Sequence, residues 1–441
     1  MNQMFKLFDL SLKLNGFPLK KAKQEYAKIL AVPESQYQEF IEQKKREIIE
    51  FHFENNQFYR NLVGDKLPEK WEDLPVLTKK DLQQPLEQRL SKGYSIKSVF
   101  VNKTSGSSGN PFIFARDKYG HAITWASIIH RFGMHVVDFN SSLQARFYGV
   151  SKDFKSYYLT KIKDFLSHRY RFSILDFSER SLYKMLNKFS KKPFIYVNGY
   201  TTCIVQLAKH LQKKNLVLKQ ICPSLKICIT TSEMLIEDDK KIIERAFGVP
   251  VVNEYGASEL GVIALNNLKN EWILNQEDLF VEILDDNNNP VKDGEEGNII
   301  VTCLYNRANP FIRYKVGDIG VIKKISPHKQ ILESLKGRTN DFAILPSGKK
   351  AAGMTFYVLT KAIMDKDGNI KEFKIIQTQI NKFVIEYSSQ IELTESQKEF
   401  ISSKFDEYLE KGLRYEFIRK DSLERTLSGK LKQFESLINK N

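Results

Sequence analysis

Thr104-Ser-Gly-Ser-Ser-Gly-Asn-Pro111 is the stretch whose reading decides the fold. Two glycines and four hydroxyl side chains occupy the six positions from Thr104 to Gly109, between extended runs at 96–102 and 112–115. Glycine opens backbone angles closed to other residues, so successive N–H groups of Gly106 and Gly109 and their neighbours can converge on one anion. Thr104, Ser105, Ser107 and Ser108 add hydroxyl donors for phosphate oxygens. A Walker-type P-loop needs a lysine inside the loop and a helix directly after it. Here Asn110 and Pro111 run into Phe112-Ile-Phe114, which reads as a strand. The stretch is therefore read as a phosphate-gripping loop between two strands, with a flexible Gly/Ser turn as the alternative.

The totals set the frame for that loop. A chain of 441 residues suits one large unit and one smaller one. A hydrophobic content of 42% and a charged content of 27% are ordinary for a globular protein with a sizeable core. The net charge of +15 favours an acidic or phosphorylated partner. The lysines are spread along the chain, however, in clusters no longer than Lys44-Lys45-Arg46, so a solvated basic surface is the plainer reading. No nucleic-acid-binding signature accompanies the charge, and no nucleic-acid partner is expected. Cys203, Cys222, Cys228 and Cys303 make no metal-ligand spacing, and the seven histidines make no HExxH. The cysteines read as small buried hydrophobes in a reducing compartment. No apolar run approaches the roughly 18 residues of a membrane span, and no signal-peptide core is seen, so a cytoplasmic protein is expected. Residues 1–14 alternate Phe and Leu with Lys6 and Lys13; they either touch a membrane surface or, more plainly, dock on the protein's own body.

Outward from the loop, residues 20–30 and 34–55 have helical spacing and are parted by Pro33. Thr78 is expected to cap a helix from Lys79 that Pro85 ends or kinks. Residues 117–134 carry an apolar helical stripe. Strands at 145–150, 194–198 and 225–230 then alternate with helices at 178–189, 201–211 and 236–247. That alternation argues for α/β layers, in which ligands collect at the carboxyl ends of strands, here Gly199-Tyr200 and Thr230-Thr-Ser-Glu233. Asn253-Glu-Tyr-Gly-Ala-Ser-Glu-Leu-Gly261 combines an aromatic, a glycine, a hydroxyl and a carboxylate. A carboxylate near phosphates is commonly a Mg²⁺ ligand, because bare it would repel them.

From Leu279 the pattern turns to short strands at 280–284, 298–302, 311–314 and 321–325, read as a small β-barrel-like subdomain. Within it, Arg313-Tyr-Lys-Val-Gly-Asp318 reads as a tight turn whose Asp318 is an acceptor for two ribose hydroxyls. Gly337-Arg-Thr-Asn-Asp341 is the boundary, giving a large domain over 1–339 and a small α+β domain over 340–441. The small domain reads as a helix at 353–364, a hairpin at 373–378 and 383–387, a helix at 395–411 and a strand at 415–418. It ends in Arg425-Thr-Leu-Ser-Gly-Lys430.

The Gly/Ser loop, Asn253 to Glu259, Tyr314 to Asp318 with Gly337-Arg338, and Ser428-Gly-Lys430 stand in one order along nearly the whole chain. That series resembles the signatures of adenylate-forming enzymes, and its form is similar to the phenylacetate–CoA ligase branch and the CapK group within it. Pro75-Val-Leu-Thr-Lys-Lys-Asp81 and Asn309-Pro-Phe-Ile-Arg-Tyr314 extend the resemblance. It implies an α/β fold with a large N-terminal domain and a mobile C-terminal domain. It also implies a carboxylate attacking the α-phosphate of Mg·ATP, followed by transfer of the acyl group. On that resemblance, Thr104, Ser105, Gly106, Ser107, Ser108 and Gly109 hold the β- and γ-phosphates. Tyr255 lies against adenine, in a nucleotide site that also takes in Ser232, Glu254 and Gly256. Ser258 bonds the α-phosphate, Glu259 holds Mg²⁺, and Asp318 takes the ribose with Arg338 close by. Lys430 reaches in to bridge carboxylate and phosphate, from a domain hinged near Asn340.

The chain departs from the pattern at Asn110, where lysine is usual, at Ser232, where glycine is usual, and at Leu423-Glu424, where a proline is frequent. Asn266, Asn267, Trp272 and Asn275 stand where relatives often carry zinc ligands, so no zinc is expected and phenylacetate itself is in doubt. The acceptor implied is CoA, a carrier-protein phosphopantetheine or an amine of a polysaccharide precursor, with a homodimer among the options. The competing class is a non-catalytic nucleotide-binding scaffold, against which the joint presence of Glu259, Asp318 and Lys430 argues.

Overall fold

Eleven strands form one sheet in the order β10-β11-β12-β13-β9-β8-β7-β6-β5-β3-β4 in this computed structural model. The structure describes residues 6–104, 112–149, 154–173, 178–338, 342–352, 355–356, 359–360, 363, 370–424, 431 and 433–438. Two strands stand outside the sheet as an antiparallel hairpin, β1 (Phe100–Lys103) and β2 (Ile113–Arg116), with Lys103 opposite Ile113. In the sheet are β3 (Gln144–Phe147), β4 (Arg169–Phe172), β5 (Tyr196–Tyr200), β6 (Ile227–Thr231), β7 (Val251–Ala257), β8 (Gly261–Asn266) and β9 (Trp272–Leu274). It continues with β10 (Leu279–Leu284), β11 (Glu296–Cys303), β12 (Tyr314–Ser326) and β13 (Lys329–Arg338).

From β4 to β7 the pairing is parallel, and from β7 to β9 it is antiparallel. The helices between the parallel strands account for that arrangement, since a parallel neighbour needs a crossover. Glu179–Lys191, Thr201–Lys213 and Glu237–Phe247 cover one face, burying Phe189, Leu207 and Phe247 against Ala145, Val197 and Cys228. The other face holds Tyr196, Ile229 and Val252 against Phe132 of the helix Lys118–Gly133. That helix also packs on Leu7–Leu14 and Leu19–Leu30, with Phe8 5.1 Å from both Trp125 and Phe139. The N-terminal helix thus docks on the protein's own body, and no helix among the described residues is long and apolar enough to cross a membrane. All four cysteines are free and buried.

The chain divides into two compact units, Met1–Val316 with Val321–Glu333, and Gly317–Gly320 with Ser334–Asn441. The second contains the pair β14 (Phe342–Ile344) and β15 (Lys350–Ala352) and the strands β16 (Ile370–Gln379), β17 (Lys382–Ser389), β18 (Arg414–Lys420) and β19 (Phe434–Ser436). The last four pair in the order β18-β17-β16-β19 beneath the helix Glu395–Tyr408, whose start is fixed by a Thr394–Gln397 capping box. The hairpin, helix and strand expected there are present, whereas most of the helix expected at 353–364 lies outside the described residues.

Two local expectations are corrected. No helix runs from Lys79 to Pro85: a 3-10 turn at Asp81–Gln83 is followed by a short helix, Leu86–Arg89, that starts only after the proline. Gln84 is extended (ψ 161°), as the residue before a proline is driven to be. Thr78 does cap that turn: its hydroxyl oxygen accepts from the Asp81 N–H at 3.4 Å, while the Asp81 carboxylate takes the Thr78 N–H and hydroxyl at 2.7 and 2.6 Å. Secondly, the tight turn expected at Gly317-Asp318 is a continuous strand, because Gly317 at φ +90° lets β12 kink without ending.

Candidate active site

The carboxyl ends of β5, β6 and β7 lie side by side, with Tyr200 opposite Thr231 and Thr231 opposite Glu254. From that row the chain runs through Tyr255 and Gly256 into the turn holding Ser258 and Glu259, then back as β8. The β7–β8 register slips between Tyr255 and Gly256, and such a bulge re-aims the side chains beside it. Gly256 is required there, because a Cβ on it would lie 2.4 Å from the Gly261 carbonyl oxygen. Tyr255 is buried, its ring 6.1 Å from that of Trp272, and Ser258 is exposed on the turn.

Glu259 is held from two directions. Arg116, at the end of the strand leaving the Gly/Ser loop, donates from Nε (3.2 Å) and Nη2 (2.7 Å) to the Glu259 carbonyl, and from Nη1 to the Thr124 hydroxyl (2.6 Å). Tyr314, at the start of β12, donates its hydroxyl to Glu259 Oε1 at 3.1 Å. Glu259 as a residue is 7% exposed, and among the described residues no lysine or arginine side chain forms an ion pair with its carboxylate. A buried carboxylate so placed is a fitting single ligand for a hydrated Mg²⁺, an ion that takes one or two carboxylates and fills its other positions with phosphate and water. Among the described residues no cluster of three or more His, Cys, Asp or Glu could hold a metal without such help.

Tyr314 is itself fixed by a buried network. The Arg313 guanidinium, 0% exposed, donates to the carbonyls of Glu72 (2.6 Å) and Leu74 (2.7 Å) and to the Glu282 carboxylate (3.0 Å). Trp71 donates its indole N–H to the same carboxylate, and Leu77 bridges to β12 beside Tyr314. The two outlying motifs, 75–81 and 309–314, are therefore one structural device that carries Tyr314 to Glu259. Arg89 does the same for the hairpin, donating to Asn309 Oδ1 and the Ile113 carbonyl, both at 2.7 Å.

The remaining sequence candidates are placed as follows. Thr104 closes the neck of the β1–β2 hairpin: its N–H donates to the Phe112 carbonyl, and its hydroxyl oxygen accepts from the Phe112 N–H. Ser105, Gly106, Ser107, Ser108 and Gly109 lie outside the described residues, as does Lys430. Ser232 adopts φ +68°, the left-handed region where glycine is easiest. The neighbouring Glu233 carboxylate accepts from the N–H and hydroxyl of Thr202, both at 2.8 Å, at the start of the helix Thr201–Lys213. Asp318 is buried on β12 and Arg338 ends β13, both in segments that belong to the second unit. Glu254 accepts from the Thr231 hydroxyl at 2.8 Å; burial pushes its carboxyl above the usual range, against the pull of Thr231 and Arg146. Sequence reasoning assigned no part to Arg116 or Arg146. A charged residue closing the otherwise apolar strand Ile113-Phe-Ala-Arg116 was the available signal for the first.

This architecture is that of the adenylate-forming ligases. A 2-hydroxyisobutyryl-CoA ligase solved in the postadenylation state superimposes over 92% of this chain and 91% of its own, with a TM-score of 0.67 and 17% identity. The anthranilate CoA ligase AuaEII, solved with anthranoyl-AMP, matches at a TM-score of 0.51 and 14% identity over 75% of this chain and 64% of its own. ATP-bound MatB from Rhodopseudomonas palustris matches at a TM-score of 0.52 and 15% identity, over 75% of this chain and 65% of its own. Among curated proteins the chain is similar to Protein CapK of Staphylococcus aureus, at 25% identity over 363 residues, 79% of this chain and 77% of that protein. No family model matches the chain.

Proposed function

We propose that this protein is an ATP-dependent, adenylate-forming ligase. A carboxylate oxygen of the acid attacks the α-phosphorus of ATP, the bond to the β-phosphate oxygen breaks, and acyl-adenylate and pyrophosphate result. The acyl group then passes to the thiol of CoA or of a carrier-protein phosphopantetheine, or to an amine in surface-polysaccharide biosynthesis, with AMP leaving. The observation that carries this reading is the Glu259 carboxylate, buried beside Ser258 and Tyr255 and bonded by the Tyr314 hydroxyl, on a backbone held by Arg116, with no ion-pair partner among the described residues.

Joining two anions requires donors and cations placed in advance. Tyr255 offers an aromatic face for the base, and Ser258 an exposed hydroxyl for the α-phosphate. Glu259 would hold Mg²⁺, which when bound offsets phosphate charge. Tyr314, by bonding one carboxylate oxygen, keeps the other turned to that task. The Gly/Ser loop is assigned to the β- and γ-phosphates, and Asp318 with Arg338 to the ribose. Lys430, on a domain hinged near Asn340, is assigned to the carboxylate–phosphate bridge and leaves after the first step.

ATP–pyrophosphate exchange over a broad panel of carboxylic acids tests the proposal. Exchange with at least one acid is expected, and Lys430→Ala should abolish it while leaving the melting temperature in place. ATP binding without exchange for any acid would favour a non-catalytic nucleotide-binding protein instead. Adding CoA, a carrier protein or an amino sugar to the exchanging system identifies the acceptor.

A further inference from the structure

Beside the nucleotide end of the sheet lies a concentration of positive charge that the adenylation chemistry leaves unused. β3 and β4 are paired in parallel with Arg146 directly opposite Arg171 and Gln144 opposite Arg169. The three arginines share one face, because side chains two apart on a strand point the same way. Like charges facing each other across strands are unfavourable unless an anion lies between them. Asp164 supplies one: it bonds Arg171 in a fork at 2.8 and 2.9 Å and pairs with Arg169 at 3.0 Å. One carboxylate is thereby shared by two guanidiniums. Arg146 is left over.

Arg146 lies with its guanidinium carbon 3.7 Å from the centre of the Tyr148 ring, and its buried Nε–H has no hydrogen-bond partner among the described residues. A guanidinium carries only donors, so an unpaired Nε–H calls for an acceptor. The position is not remote from the reaction. Tyr148 follows β3 and its ring is 4.8 Å from that of Tyr200, which pairs with Thr231, which pairs with Glu254. Tyr148, Tyr200, Thr231 and Glu254 thus cross the carboxyl ends of four neighbouring strands, with Arg146 one step below on the same face. Glu254, the acid in that row, is turned to Thr231 and forms no ion pair with Arg146 within 4 Å. Burial raises the proton affinity of Glu254, and burial followed by the charge of Arg146 pulls Arg169 down to about 10.

We infer that the acid this protein activates carries a second carboxylate, at the end of its acyl part remote from the reacting one, and that Arg146 binds it. The inference rests on the ligase reading for the identity of the ligand, while the anion site itself rests on the three arginines. Bidentate pairing with a carboxylate is what a guanidinium does best, and it would supply the counter-charge that Arg146 lacks. The Tyr148 and Tyr200 rings would flank the chain between the two carboxylates.

The test measures ATP–pyrophosphate exchange with matched pairs that differ only in the terminal group: succinate and butyrate, glutarate and pentanoate, adipate and hexanoate, isophthalate and benzoate. At least one diacid should exceed its monoacid partner in kcat/KM by about tenfold or more, since a site built for a polar group discriminates strongly against its absence. Arg146→Met should erase that ratio by lowering diacid kcat/KM towards that of the monoacid partner, and Arg146→Lys should restore part of it. The ligand-free Arg146→Met protein should melt no lower than wild type, because it loses a repelled charge; a purely structural arginine would lower the melt. Exchange that runs with monoacids and not diacids, or a diacid preference that survives Arg146→Met, overturns the inference and leaves the ligase reading standing. If no acid exchanges, the ligase reading fails and calorimetric titration with the same diacids decides the site. Saturable binding lost in Arg146→Met keeps it, and no binding removes it.

Discussion

The Tyr314 hydroxyl and the Glu259 carboxylate meet at 3.1 Å although 55 positions separate them in the chain. The bond costs little to form, since Tyr314 is already set by Arg313 and the Leu77 bridge. Its effect is on orientation. Tyr314→Phe keeps the ring and removes only the bond, and a hydrogen bond to a charged group contributes about 1.5–3 kcal/mol. The expected outcome is a fall of roughly 10- to 100-fold in exchange kcat/KM, with a raised Mg²⁺ requirement, as about 1.4 kcal/mol corresponds to tenfold. The thermal melt of the variant, taken alongside a Mg²⁺ titration of exchange, separates this from unfolding.

Gly256 makes a second prediction. A methyl group there would meet the Gly261 carbonyl oxygen at 2.4 Å and the Val262 Cα at 3.3 Å, both of them backbone atoms. Neither can swing aside as a side chain would, so β7 and β8 must part. Gly256→Ala should lose about 1–3 kcal/mol of stability, the usual cost of overfilling a packed contact. It should also loosen Tyr255, the residue on the other side of the bulge, and so weaken nucleotide binding. Chemical denaturation and a nucleotide titration on one preparation check both halves.

How far the sequence carried depended on how local the cause was. The helix Glu34–Asn55 is legible to the residue because Pro33 ends the preceding segment and the apolar spacing is regular. The helix Lys118–Gly133 is legible because Asp117 caps it, accepting from the N–H groups of Tyr119 and Gly120. By contrast, β4 and the helix Phe154–Leu166 were not expected at all. Arg169-Tyr-Arg-Phe172 alternates charge with aromatics, and its strand character comes from pairing with β3, a long-range cause that no short window contains. For the same reason the arginine cluster was invisible: Arg146 and Arg171 are neighbours only once the register is known.

The candidate site was legible in the residue types of its motif and not in the side chains that support it. Glu259, Tyr255 and Ser258 stand together in the sequence, so their proximity followed from the motif. Arg116 and Tyr314 come to Glu259 from 143 and 55 positions away, and only tertiary structure brings them there. The turn expected at Gly317-Asp318 failed for a related reason. Glycine signals a special backbone angle, but whether the chain then turns or continues is set by the strands on either side.

The Arg313–Glu282 pair gives a third prediction. Arg313 is fully buried, at φ +45°, and its charge is balanced by Glu282 alone among ion pairs of the described residues. Removing one partner of such a pair leaves an uncompensated buried charge, at about 3–5 kcal/mol. Glu282→Leu should therefore be strongly destabilising. Adding Arg313→Met should recover only part of the loss, because the carbonyls of Glu72 and Leu74 are then left without a donor. A double-mutant cycle from urea denaturation would show this as a coupling energy of the rescuing sign. Full recovery in the double variant would mean that those two carbonyls find other partners.

His52 supplies the last prediction, on pH. Its ring is 0% exposed, with Nε2 2.9 Å from the Asn306 carbonyl and Nδ1 3.2 Å from the Ser91 hydroxyl. Burial pushes it down to about 4, partly opposed by the Asn306 contact. Between that value and the ordinary value of about 6.5, the unfolded chain binds a proton at this position that the folded chain does not. Stability contributed by His52 is therefore complete above about pH 6.5 and is lost as the pH falls towards about 4, by roughly 3 kcal/mol in all at about 1.4 kcal/mol per unit. His121, pushed by burial and then by Arg116 to about 3, adds to the same slope. His52→Gln keeps a hydrogen-bonding side chain and cannot titrate. Urea midpoints measured every half unit from pH 7.5 to 4.5 should fall with acid in the wild type and fall less steeply in the variant. Parallel curves would show that His52 does not titrate differently on folding.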